Sequence, residues 1–278
     1  MEVPSIDRFD PAVAESLGYL NRTPCFTSRS SPFSYFLYVP PNYHDLERLN
    51  LMVLIHQSSR NASEIRDEGF TFFARKHSYI ILAPLFPIEP DDPQDRNGYK
   101  QLVSGDTRYD KIVLAMVEEV KARYNRVDID RFLLWGFSGG GQYVHRFAYL
   151  YPERLKAIAI GAPGSQTLPD TSKPYPNGVS DLESVFGLAI QWERLCPIPA
   201  MFIVGDCDTD TFYATARGRP LSPSVENGRY GGVVRLEENW RHNGAKCHLQ
   251  VVPGATHEED KMVPYVVEFF EKCLQGSI

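Results

Sequence analysis

The sequence predicts an α/β domain built on a mostly parallel central sheet with helices on both faces. Apolar runs such as residues 49–55 and 79–83 are continuous rather than alternating, the pattern of strands buried on both faces. These runs take turns along the chain with segments of helical period, which implies βαβ units. At 278 residues the chain falls within the range of one large α/β domain.

Residues 1–32 show no clear period and carry Pro4, Pro11, Pro24 and Pro32. They are expected to form an N-terminal extension lying over a domain of residues 33–278, with a short helix near residues 11–17. Residues 33–39, aromatic and β-branched and stopped by Pro40-Pro41, read as a strand. Residues 49–55 form the next strand, 64–77 a helix, and 79–83 a further strand closed by Pro84 and Pro87. Residues 87–106 are acidic and proline-bearing with no core period, and a loop of that length in a compact domain is usually functional. Ile112, Val113, Met116, Val117, Val120 and Tyr124 repeat with helical spacing over residues 108–124. A strand at 132–135 follows, then a helix at 143–151 closed by Pro152 and a strand at 155–160. Residues 161–197 break the rhythm with Pro163, Pro169, Pro174 and Pro176, then a helical stretch at 182–195. They are expected to be a small cap insertion rather than a second domain. Strands at 199–204 and 248–252 complete the sheet, and the last helix places Met262, Val266, Phe269, Phe270 and Cys273 on one face.

Several function classes fall away on composition. A net charge of -6 leaves no basic excess to neutralise phosphates, so no nucleic-acid partner is expected. No apolar run is long enough to span a bilayer, so no membrane partner is expected. The five cysteines, Cys25, Cys196, Cys207, Cys247 and Cys273, are scattered without metal-ligand spacing, and they read as thiols of an intracellular protein. The start carries neither a basic nor an apolar signal region. The triplets at Asn21 and Asn61 therefore carry little weight as glycosylation sites, and the expected location is cytoplasmic.

The chemistry centres on Leu133-Leu134-Trp135-Gly136-Phe137-Ser138-Gly139-Gly140. An apolar run ends in Gly-x-Ser-x-Gly and a helix follows at once, the form of a strand-to-helix turn that exposes one serine hydroxyl. Gly136 and Gly140 have a mechanical reason, because strand and helix nearly touch there, and Gly139 can offer its N–H to a developing oxyanion. The pattern alone is common. A serine hydroxyl also needs a base within hydrogen-bond reach and a group that orients the base. Two later strand ends carry such groups: Gly205-Asp206-Cys207-Asp208-Thr209-Asp210 and Pro253-Gly254-Ala255-Thr256-His257-Glu258. A histidine capping a helix begun by Glu258 is the plainer reading of His257, and it is compatible with the base. Three alternate aspartates also suggest a calcium loop. That reading fails because Thr211 and Arg217 stand where the turn glycine and the bidentate glutamate belong.

With these residues in view, the chain resembles α/β-hydrolase serine hydrolases from about residue 33 to residue 274, in the manner of polyhydroxybutyrate-depolymerase-like and feruloyl-esterase-like esterases. The resemblance rests on Tyr38-Val39-Pro40, Ile55-His56, Gly136-Phe137-Ser138-Gly139-Gly140, Tyr151-Pro152-Glu153-Arg154, Gly205-Asp206-Cys207-Asp208 and Pro253-Gly254-Ala255-Thr256-His257, in that order. It implies Ser138 as nucleophile, His257 as general base, and Asp208 as the acid, with Asp206 the alternative and Asp210 a solvated turn residue. The family often writes the acid turn His-Gly-x-x-Asp, and Val204 stands here in place of the histidine. The resemblance also implies that the loop after the second strand gives the other oxyanion donor, from Ser58, with His56 and Gln57 at the substrate pocket. Gln57 departs from the usual glycine. No metal and no organic cofactor is implied.

The expected activity is hydrolysis of a carboxylic ester or related small acyl substrate through an acyl-enzyme. C–C bond hydrolysis, lyase or acyl-transfer chemistry on the same site is the alternative. A ligand-binding module that kept the frame is a third reading. The substrate and the oligomeric state, monomer or homodimer, stay open.

Overall fold

A computed structural model of the chain describes residues 5, 7, 10–16, 26–27, 33–67, 69–88, 96–209 and 227–278. The chain divides into two compact units, Met1–Leu134 and Trp135–Ile278. In chain order the elements are α1 (Pro11–Ser16), β1 (Phe26–Thr27), β2 (Ser34–Tyr38), β3 (Leu49–Ile55), α2 (Ala62–Asp67), α3 (Phe70–His77), β4 (Tyr79–Leu85), β5 (Val103–Ser104), β6 (Thr107–Arg108) and α4 (Tyr109–Arg123). They continue with β7 (Val127–Phe137), α5 (Gly139–Leu150), β8 (Leu155–Gly161), α6 (Leu182–Phe186), α7 (Trp192–Leu195), β9 (Ala200–Gly205), α8 (Gly228–His242), β10 (Cys247–Val252) and α9 (Val263–Leu274).

Within the first unit the sheet runs β1-β2-β4-β3, within the second it runs β8-β9-β10, and the residues of β7 fall on both sides of the division. In the first unit β3 pairs parallel with β4, while β2 pairs antiparallel with β4 and β1 antiparallel with β2. In the second, β8 and β10 flank β9, both parallel to it. Continuous apolar sequence produces what it predicts: every residue of β9, and all of β8 but Lys156, is buried. Parallel strands of this kind are covered on both faces.

The boundaries differ from expectation at particular residues. The helix expected over 64–77 is two helices, because Gly69 takes a left-handed φ of 74° and ends the first before Phe70 begins the second. The strand expected at 132–135 begins at Val127. There Val127 and Ile129 alternate with Asp128 and Asp130, the half-exposed pattern of a strand leaving the core. The expected loop at 87–106 holds a turn of 3₁₀ helix at Gly98–Gln101 and the start of the β5-β6 ribbon, and it buries Tyr99 and Leu102. The helical stretch at 182–195 is two short helices, with Gly187 left-handed after the first. Helix α9 starts at Val263, not after His257, so residues 257–262 are non-helical and His257 caps no helix. The whole of α8 is an addition, and it seats Val233, Leu236 and Trp240 in the core.

Trp240 shows what α8 contributes. Its ring packs edge-on to Phe202 of β9 at 5.2 Å between centroids, and its Nε1 donates to Tyr149 Oη at 2.8 Å. Trp240→Ala is expected to cost about 3–5 kcal/mol of stability, read as a lowered urea midpoint. Among the described residues, no helix is long and apolar enough to cross a membrane. Among them too, no group of three or more His, Cys, Asp or Glu could hold a metal ion.

Candidate active site

Strand β7 is buried from Phe132 to Phe137 and delivers Ser138 at its end. Ser138 has φ 54° and ψ −109°, a backbone region that costs a residue with a Cβ on the order of 1–3 kcal/mol. The surroundings hold it there. Its N–H donates to Gly161 O at the end of β8 at 2.8 Å, and its carbonyl accepts the Gln142 N–H at 3.1 Å as α5 begins. A Cβ on Gly136 would stand 2.5 Å from the carbonyl carbon of Gly140, so strand and helix cross at backbone contact. Only glycine permits that approach. The first N–H groups of α5, Gly139 among them, sit at a helix N-terminus, where amides lack intrahelical partners and favour negative charge.

His257 reaches this turn from beyond β10. Its ring lies 4.5 Å from that of Phe137, centroid to centroid, tilted by 32°. Its Nδ1 meets Asp208 Oδ2 at 2.7 Å. A carboxylate at Nδ1 puts the imidazole proton on that nitrogen, which leaves Nε2 as the acceptor. The tautomer is thereby assigned from its hydrogen bond.

Asp208 follows β9 and is 2% exposed. Its second oxygen, Oδ1, takes Arg229 Nη1 at 3.1 Å, and its backbone carbonyl takes the Tyr230 N–H at 2.9 Å. Asp206 is turned elsewhere: its Oδ1 accepts the Gly254 N–H at 2.8 Å and ties the turn after β10 to the turn after β9. Of the two aspartates, Asp208 is the one on His257. Asp210 lies outside the described residues, as do Thr211 and Arg217. Arg229 was not singled out from sequence. It sits 21 positions after Asp208, with no motif to mark it. Between the two aspartates, exposed Cys207 has its thiol pushed up, chiefly by the hydrogen bond it donates to the Asp206 carboxylate and then by that carboxylate's charge, so it is a weak nucleophile.

Helix α5 also anchors the turn that follows β8. His145 Nδ1 donates to Gly141 O at 2.8 Å, and its Nε2 accepts the Thr167 N–H at 3.0 Å. Burial holds this imidazole well below its usual range, with the Arg146 charge adding to the effect, so it acts as a neutral bracket. Arg146 itself is buried and donates to Thr167 Oγ1 and Ser165 Oγ.

In the first unit, His56 ends β3 with no exposure at all. Its Nδ1 donates to Gln57 O at 2.7 Å and its Nε2 accepts the Phe86 N–H at 3.0 Å. Both of its ring nitrogens are thus committed to backbone, which fixes the start of the 56–60 loop. Exposed Ser58, on the same loop, accepts Arg60 Nη1 at its carbonyl, 2.9 Å away. Burial, helped by the Arg60 and Lys100 charges, lowers the His56 pKa to about 4. The unfolded chain, with its histidine near 6.5, then binds more protons between those values. Stability from His56 is therefore full above pH 6.5 and falls as pH drops toward 4, by about 2 kcal/mol between pH 7 and 5. Urea unfolding across that window should show a shallower pH slope in His56→Gln than in the parent.

Comparisons with known proteins bear on the frame. No protein-family model and no curated protein matches the chain. Solved structures do. LpqC, a poly(3-hydroxybutyrate) depolymerase from Bordetella parapertussis, superposes with a TM-score of 0.72 at 23% identity, covering 94% of each chain. Poly(aspartic acid) hydrolase-1 from Sphingomonas sp. KT-1 gives 0.71 at 21% identity, over 88% of this chain and 96% of that one. An S-formylglutathione hydrolase from Agrobacterium tumefaciens gives 0.64 at 13% identity, over 91% and 94%. The chain has the α/β-hydrolase fold. Along the chain, Ser138 follows β7, Asp208 follows β9 and His257 follows β10.

Proposed function

We propose that the chain is a serine hydrolase that cleaves a carboxylic ester or related small acyl substrate, with Ser138, His257 and Asp208 as its triad. The observation that carries this reading is His257: Nδ1 on a buried carboxylate at 2.7 Å, ring against the residue before a serine of positive φ. Ester-cleaving names among proteins of the same fold support the substrate class.

The residues act in sequence. Ser138 Oγ attacks the substrate carbonyl as His257 Nε2 takes its proton. Asp208 keeps the imidazole in the right tautomer and stabilises the imidazolium. The carbonyl oxygen becomes an oxyanion, for which Gly139 N–H is the proposed donor, and Ser58 N–H the second on the resemblance. Each such donor is worth about 3–4 kcal/mol in the transition state. The imidazolium returns the proton to the departing alcohol, and the C–O bond of the ester breaks. Water then attacks the acyl-Ser138 ester by the same steps in reverse roles.

The test is labelling of the folded protein by a fluorophosphonate, with the adduct located by mass spectrometry, followed by turnover of p-nitrophenyl esters of increasing acyl length. An adduct on Ser138 with turnover supports the reading. An unlabelled Ser138 in folded protein overturns it. Labelling without ester turnover points to lyase or acyl-transfer chemistry.

A further inference from the structure

Asp208 has to be charged while the histidine beside it is not. For His257 to accept the Ser138 proton at Nε2, its ring must rest neutral, with its one hydrogen on Nδ1. A neutral imidazole brings no charge to Asp208, which is 2% exposed. An ionised carboxylate withdrawn from water to that degree is strongly destabilised unless a cation stands with it. With the imidazole as its only partner, the pair would be driven to the state in which His257 takes up a proton and becomes that cation. A protonated His257 cannot act as a base.

Arg229 supplies the cation instead. Its Nη1 lies 3.1 Å from Asp208 Oδ1, while Oδ2 meets His257 Nδ1 at 2.7 Å. The side chains of the Arg–Asp pair are 15% and 1% exposed, so salt screens them little. A guanidinium also stays charged at every pH the folded protein meets. The Tyr230 N–H bond to Asp208 O, at 2.9 Å, ties the same turn of α8 to the same residue by backbone, so that turn has a second hold when the side chain at 229 is changed.

Other charges surround the pair among the described residues. On the turn that carries His257, Glu258 pairs with Lys261 at 2.8 Å, Glu259 is buried and Asp260 is exposed. Beside Asp208, Asp206 accepts the Gly254 N–H. On α5 the Arg146 guanidinium is turned to Thr167 and Ser165, and from β7 the ring of His257 meets only the uncharged Phe137. All of these stay in place when residue 229 is replaced, so a comparison of variants at that position isolates its own charge.

We propose that Arg229 is a positioning residue of the triad, whose charge keeps Asp208 ionised while His257 rests neutral and so sets how far toward low pH the hydrolase works. The proposal rests on Ser138, His257 and Asp208 acting as the triad. The sign follows from the charges. Without the guanidinium the Asp208 carboxylate acts on the imidazole unopposed, His257 holds a proton more readily, and the acid limb of the activity profile moves to higher pH. Arg229 works on the acid and not on the substrate, so kcat should change and KM should not.

The experiment measures kcat and KM on a p-nitrophenyl ester from about pH 5 to 9, for the full-length parent, Arg229→Gln and Arg229→Lys. Fluorophosphonate labelling of Ser138 and urea midpoints are run in parallel. Glutamine can still donate a hydrogen bond to Asp208 but carries no charge. Its acid limb should move up by about one pH unit, a loss of about tenfold in kcat at low pH that fades as pH rises. Arg229→Lys keeps a charge and should keep an acid limb near that of the parent. A folded Arg229→Gln with the parent's acid limb, or equal losses in both variants at every pH, would mean that the guanidinium only tethers α8, and the proposal fails. Arg229→Met replaces the glutamine variant if that does not fold; if neither folds, the guanidinium is a requirement of the fold and the proposal fails as well. The triad reading is tested separately, since it falls only if the folded parent is not labelled at Ser138.

Discussion

Ser138→Ala should abolish fluorophosphonate labelling and lower kcat by as much as about 10⁶-fold, the loss seen when members of such a triad act as one unit. The size follows from the geometry. His257 and Asp208 are already bonded to each other and have nothing to activate once the hydroxyl is gone. The variant should fold as well as the parent or better, because the strained φ of 54° exists to aim a side chain that alanine lacks. Alanine still has a Cβ and still carries most of the strain, so any gain in the urea midpoint should be small. Ester turnover by Ser138→Ala close to that of the parent would remove Ser138 from the mechanism.

The second large effect separates the two aspartates. Asp208→Asn should lower kcat about 10⁴-fold, since an amide at that place permits the wrong imidazole tautomer while leaving the packing intact. It also leaves the Arg229 guanidinium facing a neutral group in a site where the acid is 2% exposed. A loss of stability of about 3 kcal/mol should therefore accompany the kinetic loss. Asp206→Asn should keep most of the activity, because Asp206 bonds to the Gly254 N–H and an asparagine oxygen can accept the same bond. Equal losses in the two variants, measured as kcat on a p-nitrophenyl ester, would remove the distinction between them.

What was legible in the sequence follows from what each residue does. Strands β3, β4, β8 and β9 are apolar throughout because both their faces are covered, so composition alone reveals them. The first half of β7 was hidden because Asp128, Asp130 and Arg131 interrupt it as it leaves the core. Helix α8 was hidden for a different reason. It opens Gly228-Arg229-Tyr230-Gly231-Gly232, poor helix-forming sequence, and its formation depends on Val233, Leu236 and Trp240 being buried. Ser138 and His257 could be read from local motifs, whereas Asp206 and Asp208 differ only in which way a turn directs two identical side chains. Arg229 acts through space on a buried carboxylate, and that relation leaves no local pattern in the chain.

The double hold on Asp208 has a further consequence. The start of α8 is fastened to Asp208 by a guanidinium bond from Arg229 and by a backbone bond from Tyr230. Asp208 and the start of α8 are thus fixed to each other by bonds of their own. The free energy of closing a chain segment between two fixed points changes only slowly with its length, by about 0.6 kcal/mol per doubling. The sequence joining these two points can therefore be lengthened, shortened or rewritten at little cost while the Asp208 carboxylate stays aimed at His257.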